Sequence, residues 1–470
     1  MLRPIAVSEL LDRWQFAVTI IYHFLFVPLT IGLGLLVAVM QTLAYRRHDP
    51  EWDRLARFFG NLFLINFAMG VVTGIVQEFQ FGMNWSNYSV FVGNIFGAPL
   101  AIEGLLAFFM ESTFLGLWIF GRNRLPPVIH LATIWLASIG TILSALFILA
   151  ANSWMQHPVG YRIVGHKAVL ANFWAILGNS TLWAAFAHTV LAAFLTGGMF
   201  LLGISVWKLV RQGDRAFFRP VKLAAGLSLV CILGVIVSGD FQARLMDEQQ
   251  PMKMAAAEAL YNTEAGASFS LLTIGNLSGQ PIFQIRIPHL LSLISTVSWN
   301  GEVQGINQVQ AAEEARHGPG SYIPVIWVTY WSFRSMVGLG FLILIVAGWA
   351  LLLARRRRTD LPRWFSWVAL AGIAMPFLAN TAGWIFTEMG RQPWIVYGLM
   401  RTSQATSPTV VVSSVAVTFG GFVLLYTVLG VVDLWLMKRS ALRSLSEADE
   451  AEEDEEGEDR RGSAGAALVY

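Results

Sequence analysis

Nine long apolar runs, separated mostly by short polar connections, dominate the pattern of hydrophobic and polar positions along this chain. Roughly 20 apolar residues in an α-helix cross the ~30 Å hydrocarbon layer of a bilayer. The runs predict spanning helices at approximately 13–42, 57–80, 96–121, 127–153, 176–208, 219–240, 324–354, 364–388 and 409–438. We therefore predict an all-α integral membrane protein with about nine transmembrane helices.

The polar connections divide the chain into four regions. Residues 1–240 hold the first six predicted helices and 324–440 the last three, and the segment 241–323 forms a long loop between helices 6 and 7. The end of the chain, 441–470, differs in character because ten carboxylates crowd into 447–459. Such a run of like charge predicts an acidic, disordered tail in contact with solvent.

The composition agrees with a membrane protein. Hydrophobic residues make up 55% of the 470 positions and charged residues only 13%, whereas about a quarter of the residues in soluble domains are charged. The single cysteine, Cys231, excludes an intrachain disulfide and a C-x-x-C-H site for covalent haem attachment. Any haem must then be held by side-chain ligands alone.

Positive charge predicts the orientation of the helices. Lys and Arg gather in the short connections after the first, third, fifth and seventh predicted helices, and few occur in the other short connections. Because cytoplasmic loops carry this excess, we predict an N-terminus outside, a cytoplasmic C-terminus and an extracytoplasmic loop at 241–323. The basic run at 355–358 is then an anchor at the inner membrane surface, and no nucleic acid is expected as a partner.

Five ionisable or sulfur-containing side chains interrupt the apolar helices: His23, Glu103, His188, Met336 and Glu388. Counted from the predicted helix ends, all five fall in the half of the membrane on the side of the long loop. Side chains of this kind are costly in hydrocarbon and persist mainly where they bind a group or relay protons. Together they predict a buried reaction centre.

The histidines and the methionine favour haem. His23 has no polar neighbour on its own helix, which in a membrane favours a ligand over a hydrogen-bonded core histidine. His188 and Met336 suit the two axial positions of a six-coordinate haem, although most methionines only fill space in a core. Arg334 strengthens the assignment, because a guanidinium within the membrane needs an anion such as a haem propionate.

Three carboxylates and an arginine extend the pattern. Glu103 and Glu111 are eight residues apart, which puts them roughly on one face of the third helix. They suit a proton relay, or they are simply hydrogen-bonded to other helices. Glu388 and Arg391 lie in the string EMGRQPW at 388–394, which is more distinctive than an ordinary interfacial anchor.

These residues lie in strings that together resemble one family, the large subunit (subunit I) of the cytochrome bd quinol oxidases. The strings are YHFLFVPLT at 22–30, EFQFGMNW at 78–85, GAPLAIEG at 97–104, FMESTF at 109–114, FRSM at 333–336 and GRQPW at 390–394. The resemblance extends from the first predicted helix to the ninth.

The resemblance implies iron ligands. His188 and Met336 would ligate a low-spin haem b, with Arg334 nearby. His23 and Glu388 would serve a pair of high-spin haems, one haem b and one haem d. Which of the two haems takes which ligand stays open.

The resemblance also implies residues for proton transfer and oxygen chemistry. Glu103 and Glu111 would deliver protons or complete the oxygen site, and Arg391 would join them as a catalytic residue. Trp384 would help to bind the cofactors.

In the long loop, Lys253 and Glu258 match the segment of the family that oxidises quinol. The loop resembles the short form found in some members. The acidic tail at 447–459 has no counterpart in the matching strings.

We therefore predict a terminal oxidase subunit of the bacterial cytoplasmic membrane, a quinol:oxygen oxidoreductase. Quinol would be oxidised on the extracytoplasmic side, and electrons would pass through the low-spin haem to the high-spin pair, where dioxygen is reduced to water. Protons would be taken up from the cytoplasm without a pump. The resemblance further implies a second membrane subunit, subunit II, and allows small accessory subunits.

Three other classes of protein remain to be compared. A haem–copper oxidase needs many histidines within its helices, and only two lie deep here, so this class and the bis-histidine quinone dehydrogenases are disfavoured. A polytopic transporter with a buried charged relay and no haem is the remaining alternative. It would place its charges at the membrane midplane on broken helices, whereas these lie together in one half.

Overall fold

The computed structural model describes residues 7–275, 277, 281–356 and 361–445. Across these ranges, nine helical units are long and apolar enough to span a membrane, which confirms the predicted fold class. They are Val7–Arg47, Pro50–Met83, Ser86–Phe120, Pro127–Gln156, Ser180–Gln212, Arg215–Gln249, Ile326–Arg355, Arg363–Met389 and Val412–Leu442. The predicted acidic tail at 447–459 lies outside the described residues.

In chain order, the helices are α1 (Val7–Arg47), α2 (Pro50–Met83), α3 (Ser86–Ile102), α4 (Phe109–Phe120), α5 (Pro127–Gln156), α6 (Phe173–Leu177), α7 (Ser180–Trp207), α8 (Phe218–Gln249), α9 (Pro251–Glu258), α10 (Leu290–Thr296), α11 (Ile306–His317), α12 (Ile326–Arg355), α13 (Arg363–Gly372), α14 (Ala374–Met389) and α15 (Val412–Leu442). The strands are β1 (Tyr161–Val164), β2 (Lys167–Leu170), β3 (Glu264–Ala265), β4 (Phe269–Gly275), β5 (Pro281–Ile287), β6 (Glu302–Val303), β7 (Trp394–Val396) and β8 (Met400–Arg401). The strands pair as four two-stranded antiparallel sheets, β1–β2, β3–β6, β4–β5 and β7–β8.

All nine helical units extend past at least one predicted end, the third by ten residues at its start, and two further differences concern the site and the long loop. Helix α8 continues to Gln249, into the segment predicted as loop from residue 241, because a polar sequence of good helix formers extends a helix beyond the apolar part. The third unit is interrupted by a π-helical turn at Glu103–Phe108, between α3 and α4. Such turns are rare and occur frequently at functional sites.

Helices α1 and α7 approach each other closely at two glycines. A Cβ added to Gly32 would lie 2.3 Å from the carbonyl oxygen of Ala193, and one added to Gly197 would lie 2.4 Å from the carbonyl carbon of Gly32. Small residues at helix crossings allow this approach. Around the crossing, α1 also packs against α2, α5 and α15, so it forms the centre of one half of the bundle.

Helices α7, α8, α12 and α14 form the other half as successive neighbours, with α14 returning to α7. There the Asn380 amide donates to the Thr196 hydroxyl over 3.1 Å. The long connection between α8 and α12 lies at one end of the bundle, and we call this end, with the described residues of 250–325, the loop face. A small core of Met254, Leu260, Leu291 and Val303 holds the connection together.

Candidate functional site

His23, on α1, is oriented by a hydroxyl on α2. Its Nδ1 lies 2.9 Å from Oγ1 of Thr73. That hydroxyl has its own acceptors in α2, the carbonyl oxygens of Met69 at 2.9 Å and Gly70 at 3.1 Å. Because a hydroxyl has a single hydrogen, its oxygen then accepts from the protonated Nδ1 of His23. The Nε2 atom keeps its lone pair and can bind a metal.

His188, on α7, is held in the same way by α8. Its Nδ1 lies 3.0 Å from Oγ of Ser238, whose hydroxyl donates to the carbonyl of Val235 over 3.1 Å. The arrangement again assigns the proton to Nδ1 and leaves Nε2 free. Fixing the tautomer of a histidine through its second nitrogen is the usual way in which proteins prepare a metal ligand.

Three of the four predicted iron ligands, His23, His188 and Met336, each face a glycine on a neighbouring helix. A Cβ on Gly74 would lie 3.2 Å from Cε1 of His23, and one on Gly239 would lie 3.5 Å from Cε1 of His188. At Gly383 on α14, the added Cβ would be only 2.9 Å from Sδ of Met336. The glycines therefore let each ligand side chain pack directly on the backbone of the neighbouring helix, where a methyl group would be tight or would clash.

Glu388, at the end of α14, accepts hydrogen bonds on both oxygens. Its Oε1 accepts from the amides of Asn152 at 2.9 Å and Gln156 at 3.3 Å, and its Oε2 accepts from Arg391. Arg391 is only 3% exposed, yet its Nε and Nη1 have no hydrogen-bond partner. A buried guanidinium with free donors needs a further acceptor, and a haem propionate fits that requirement.

Lys253, on α9, belongs to the same cluster. The side chain is buried, and its Nζ donates to Oε1 of Gln156 over 2.7 Å. The pKa of Lys253 is lowered to about 7, mainly by burial and also by the charge of Arg391, while Glu388 acts against the change. The structure thus joins Lys253 to Glu388 through one amide, that of Gln156. Sequence reasoning missed Gln156, because a polar residue at a helix end gives no signal.

Arg334 and Glu258 form a buried ion pair between α12 and the end of α9. The guanidinium Nη2 lies 2.7 Å from Oε2 of Glu258, and Nε and Nη2 donate to the carbonyl of Ser270 at 3.0 and 2.6 Å. Whereas the sequence suggests a haem propionate as the anion beside Arg334, the anion that it contacts is Glu258, because α9 packs on the start of α12.

The second oxygen of Glu258, Oε1, is buried and has no hydrogen-bond partner. Burial raises the pKa of Glu258, and the charge of Arg334 and the backbone N–H of Ser270 act against this. A carboxyl group with one free oxygen and a raised pKa is suited to exchanging a proton with a ligand.

Glu103 and Glu111 both face α5. Glu103 accepts from the Ser144 hydroxyl over 2.6 Å, and a Cβ on Gly140 would lie 3.0 Å from Cα of Glu111. Eight residues of regular α-helix would rotate the second carboxylate about 80° past the first. The π-helical turn Glu103–Phe108 rotates less per residue, so it reduces this offset and helps to bring both onto one side.

Trp384, one turn before Glu388 on α14, packs edge-on against Phe24 with 5.4 Å between ring centroids. It therefore lies beside the residue that follows His23. Throughout the described ranges, no three or more His, Cys, Asp or Glu side chains group as a bare metal site. Isolated ligands are typical of haem, since the porphyrin supplies the remaining nitrogens. The predicted roles of these residues stay predictions.

Comparison with known proteins gives a family match along nearly the whole chain. The model of the family described as cytochrome bd terminal oxidase subunit I matches residues 11–444. The chain is 47% identical to cytochrome bd ubiquinol oxidase subunit 1 of Bacillus subtilis (strain 168) over 436 residues, covering 92% of this chain and 93% of the relative. It is 36% identical to cytochrome bd-II ubiquinol oxidase subunit 1 of Escherichia coli (strain K12), covering 92% and 96%.

A solved structure has the same fold. The bd oxidase from Geobacillus thermodenitrificans superimposes with a TM-score of 0.85 at 27% sequence identity. The match covers 93% of this chain and 99% of that one. The arrangement of the described helices is therefore shared over almost their full length.

Proposed function

The chain belongs to the cytochrome bd terminal oxidase subunit I family, and we propose which of its residues bind the haems, bind quinol and carry protons. As a member, it is a quinol:oxygen oxidoreductase subunit, a haem-binding, multi-pass protein of a bacterial membrane. Its substrates are membrane quinol and dioxygen within a bd oxidase complex. The proposal concerns the orientation, the haem types, the ligands and the path of the protons.

The loop face is the extracytoplasmic side of the bacterial cytoplasmic membrane in this proposal. The opposite end carries the Lys and Arg of the connections after the odd-numbered spanning units, which supports a cytoplasmic location. The short loop of 250–325 is then the quinol-oxidising region. Subunit II, and any small accessory subunits, would pack against the spanning helices.

His188 and Met336 are the proposed axial ligands of a low-spin haem b. His23 and Glu388 are the proposed ligands of a high-spin haem b and a haem d, with the order left open. When bound, the haems supply one-electron transfer and the site at which dioxygen is reduced. The chain holds each histidine with Nε2 free, and Arg391 offers two unpaired donors to a propionate.

Lys253 and Glu258 are the proposed quinol-binding residues. Each quinol that becomes a quinone releases two electrons and two protons. The free Oε1 of Glu258 can accept a hydrogen bond from one quinol hydroxyl and take its proton. Arg334 holds the carboxylate in place, and Lys253 can bind the other oxygen of the ring.

Glu103 and Glu111 are the proposed carriers of protons for water formation. Both face α5, and the Ser144 hydroxyl holds the first in place. Protons reach them from the cytoplasmic side, directly or through subunit II. Because quinol protons leave on one side and substrate protons enter from the other, charge is separated without a pump.

The observation that carries the haem assignment is the shared orientation of His23 and His188, each with Nδ1 bound to a hydroxyl. The test is a reduced-minus-oxidised optical spectrum of the purified complex, for the wild type and for Met336→Leu. We expect bands of haem b and of chlorin-type haem d, and the substitution should remove or convert only the low-spin haem b signal. Met199→Leu, at a buried methionine on α7, is the matched control and should leave the spectrum unchanged. A colourless complex would refute the assignment and favour a transporter.

A further inference from the structure

We propose that Glu313, on α11, is the group through which protons released by quinol oxidation leave the protein. The proposal rests on the proposed function, since it requires quinol to be oxidised at Lys253 and Glu258. It assigns a role to a residue that lies outside the site described above. The carboxylate would take protons from a small internal cavity and pass them to the solvent through His317.

Glu313 occupies a position where a hydrophobic residue is expected. Helix α11 lies at the loop face, and its buried side consists of Ile306, Val309 and Glu313, spaced three and four residues apart. The neighbouring carboxylate, Glu314, is exposed. A buried carboxylate without full hydrogen bonding is costly, so its presence on the inner side of the helix calls for a function.

The partners of Glu313 leave one oxygen available. The hydroxyl of Tyr397 donates to Oε1 over 3.3 Å. Oε2 is buried without a hydrogen bond and lies 3.7 Å from Nε2 of His317. Three further charged groups are near this pair: Arg316 on the same helix, which acts on Tyr397, and Lys253 and Arg391, which line the same cavity as Glu313. Burial and the nearby Glu313 raise the pKa of Tyr397, so its hydroxyl stays protonated as a donor.

A small cavity extends from Glu313 to Lys253, one of the two proposed quinol-binding residues. Its lining includes Lys253, Gln250, Arg391, Glu313 and Tyr397. Apart from Arg391, whose free donors the proposed function gives to a propionate, two of these carry a buried oxygen without a hydrogen bond: Oε1 of Gln250 and Oε2 of Glu313. A cavity with two unpaired acceptors beside the Lys253 amine is suited to an ordered water. Such a water would complete a path from the Lys253 side of the cavity to Glu313.

The outer end of the path reaches solvent. The side chain of His317 is 22% exposed and that of Glu313 is 8% exposed. A proton on the Glu313 carboxyl can therefore pass to the imidazole and then to bulk water. The step balances without another reactant. Quinol gives two protons and two electrons, and the electrons go to dioxygen by the enzyme's established reaction. The Glu313 carboxylate is regenerated each time it passes a proton to His317.

The test uses Glu313→Gln in the complete oxidase complex. We expect quinol-driven oxygen consumption to fall by about tenfold, less than the loss of a direct acid–base group because water can partly replace it. The haem spectrum should be unchanged, and so should turnover with an artificial donor that delivers electrons without protons. Imidazole in the outer solution should restore part of the quinol-driven rate. Glu314→Gln, on the exposed side of the same helix, should behave as the wild type.

Two results would overturn the proposal. One is a wild-type rate of quinol oxidation in Glu313→Gln. The other is a loss of rate with both electron donors that imidazole does not restore, since that indicates a structural role. If the Glu313→Gln variant fails to assemble, the same measurements on His317→Gln, a change at the surface, test the proposal. Absence of quinol oxidation in the wild type would instead refute the proposed function.

Discussion

Nδ1 of His23 lies 2.9 Å from the hydroxyl of Thr73, and that hydroxyl donates in turn to the backbone of its own helix. Ser238 repeats the arrangement for His188 on a different pair of helices. Two unrelated positions in the bundle thus prepare a histidine in the same tautomer. This repetition separates these two histidines from the six others in the chain.

Replacing Thr73 by Val should release His23 from this constraint. The shape is nearly retained, but the acceptor for the Nδ1 proton is lost. We expect the affinity for the haem at His23, or the activity, to fall by about 10- to 100-fold, as is usual for partners of ligating histidines. Thr73→Ser keeps the hydroxyl and should retain the wild-type haem content, measured by optical titration. Equal haem affinity in the Val and Ser variants would contradict the tautomer argument.

Replacing Gly383 by Ala should displace the sulfur of Met336. The new methyl group would lie 2.9 Å from Sδ, closer than real Cβ contacts. We expect loss of the low-spin spectrum or a changed midpoint potential, measured by redox titration. Gly338→Ala, on the helix of Met336 itself, meets no atom within 4 Å and is the matched control. If both variants keep the wild-type potential, Met336 is not an axial ligand.

The buried amine of Lys253 should make stability depend on pH. Its pKa falls from 10.5 to about 7 on folding, so between pH 7 and 10.5 the unfolded state binds more protons than the folded one. Stability should therefore rise with pH across this window. We expect the melting temperature of the wild type to increase from pH 7 to 9.5 more than that of Lys253→Met. Parallel pH profiles for the two proteins would show that Lys253 remains charged.

Breaking the ion pair of Arg334 and Glu258 should loosen the loop face. Loss of one partner from a buried pair costs about 3–5 kcal/mol, because the other charge is left alone. We expect Arg334→Met to lower the melting temperature and to speed proteolysis within 259–305. The double variant with Glu258→Met removes both charges and should recover part of the stability. If the double variant loses as much stability as the two single variants together, the charges do not interact.

Replacing Glu103 by Gln should slow oxygen reduction while haem binding stays mostly intact. The amide oxygen can still accept from Ser144, but an amide neither takes up nor releases a proton near neutral pH. Oxygen consumption and the haem spectrum of the same preparation provide the measurement. Ser144→Ala, which leaves the carboxyl group in place, should have a smaller effect. Unchanged turnover in Glu103→Gln would rule out the relay.

The sequence predicts the spanning helices well, because apolar length alone determines what can cross a bilayer. It does not predict the π-helical turn at Glu103–Phe108, since that turn depends on packing against α5 and changes no hydrophobic pattern. The predicted end of the sixth helix, at residue 240, is too early, because α8 continues to Gln249 after its apolar part stops.

The residues of the candidate site also fall into those that the sequence reveals and those that it does not. Ionisable residues within apolar runs, such as His188, are visible in the sequence because hydrocarbon makes them exceptional. Gln156 gives no such signal, and its importance depends on contacts between distant segments. Glu313 had a usable signal, a carboxylate on the buried stripe of a surface helix, although the helix has to be placed before the stripe can be recognised.

Gln156 links Lys253 to Glu388 with hydrogen bonds on both ends of its amide. An amide neither gains nor loses a proton near neutral pH. Gln156 therefore holds the two side chains in place but cannot carry a proton between them. Under the proposed function, it insulates the quinol-oxidising residues from the oxygen-reducing centre. A carboxylate at this position would let a quinol proton return directly to that centre, and the enzyme would then consume oxygen normally while conserving less of the energy as a membrane potential.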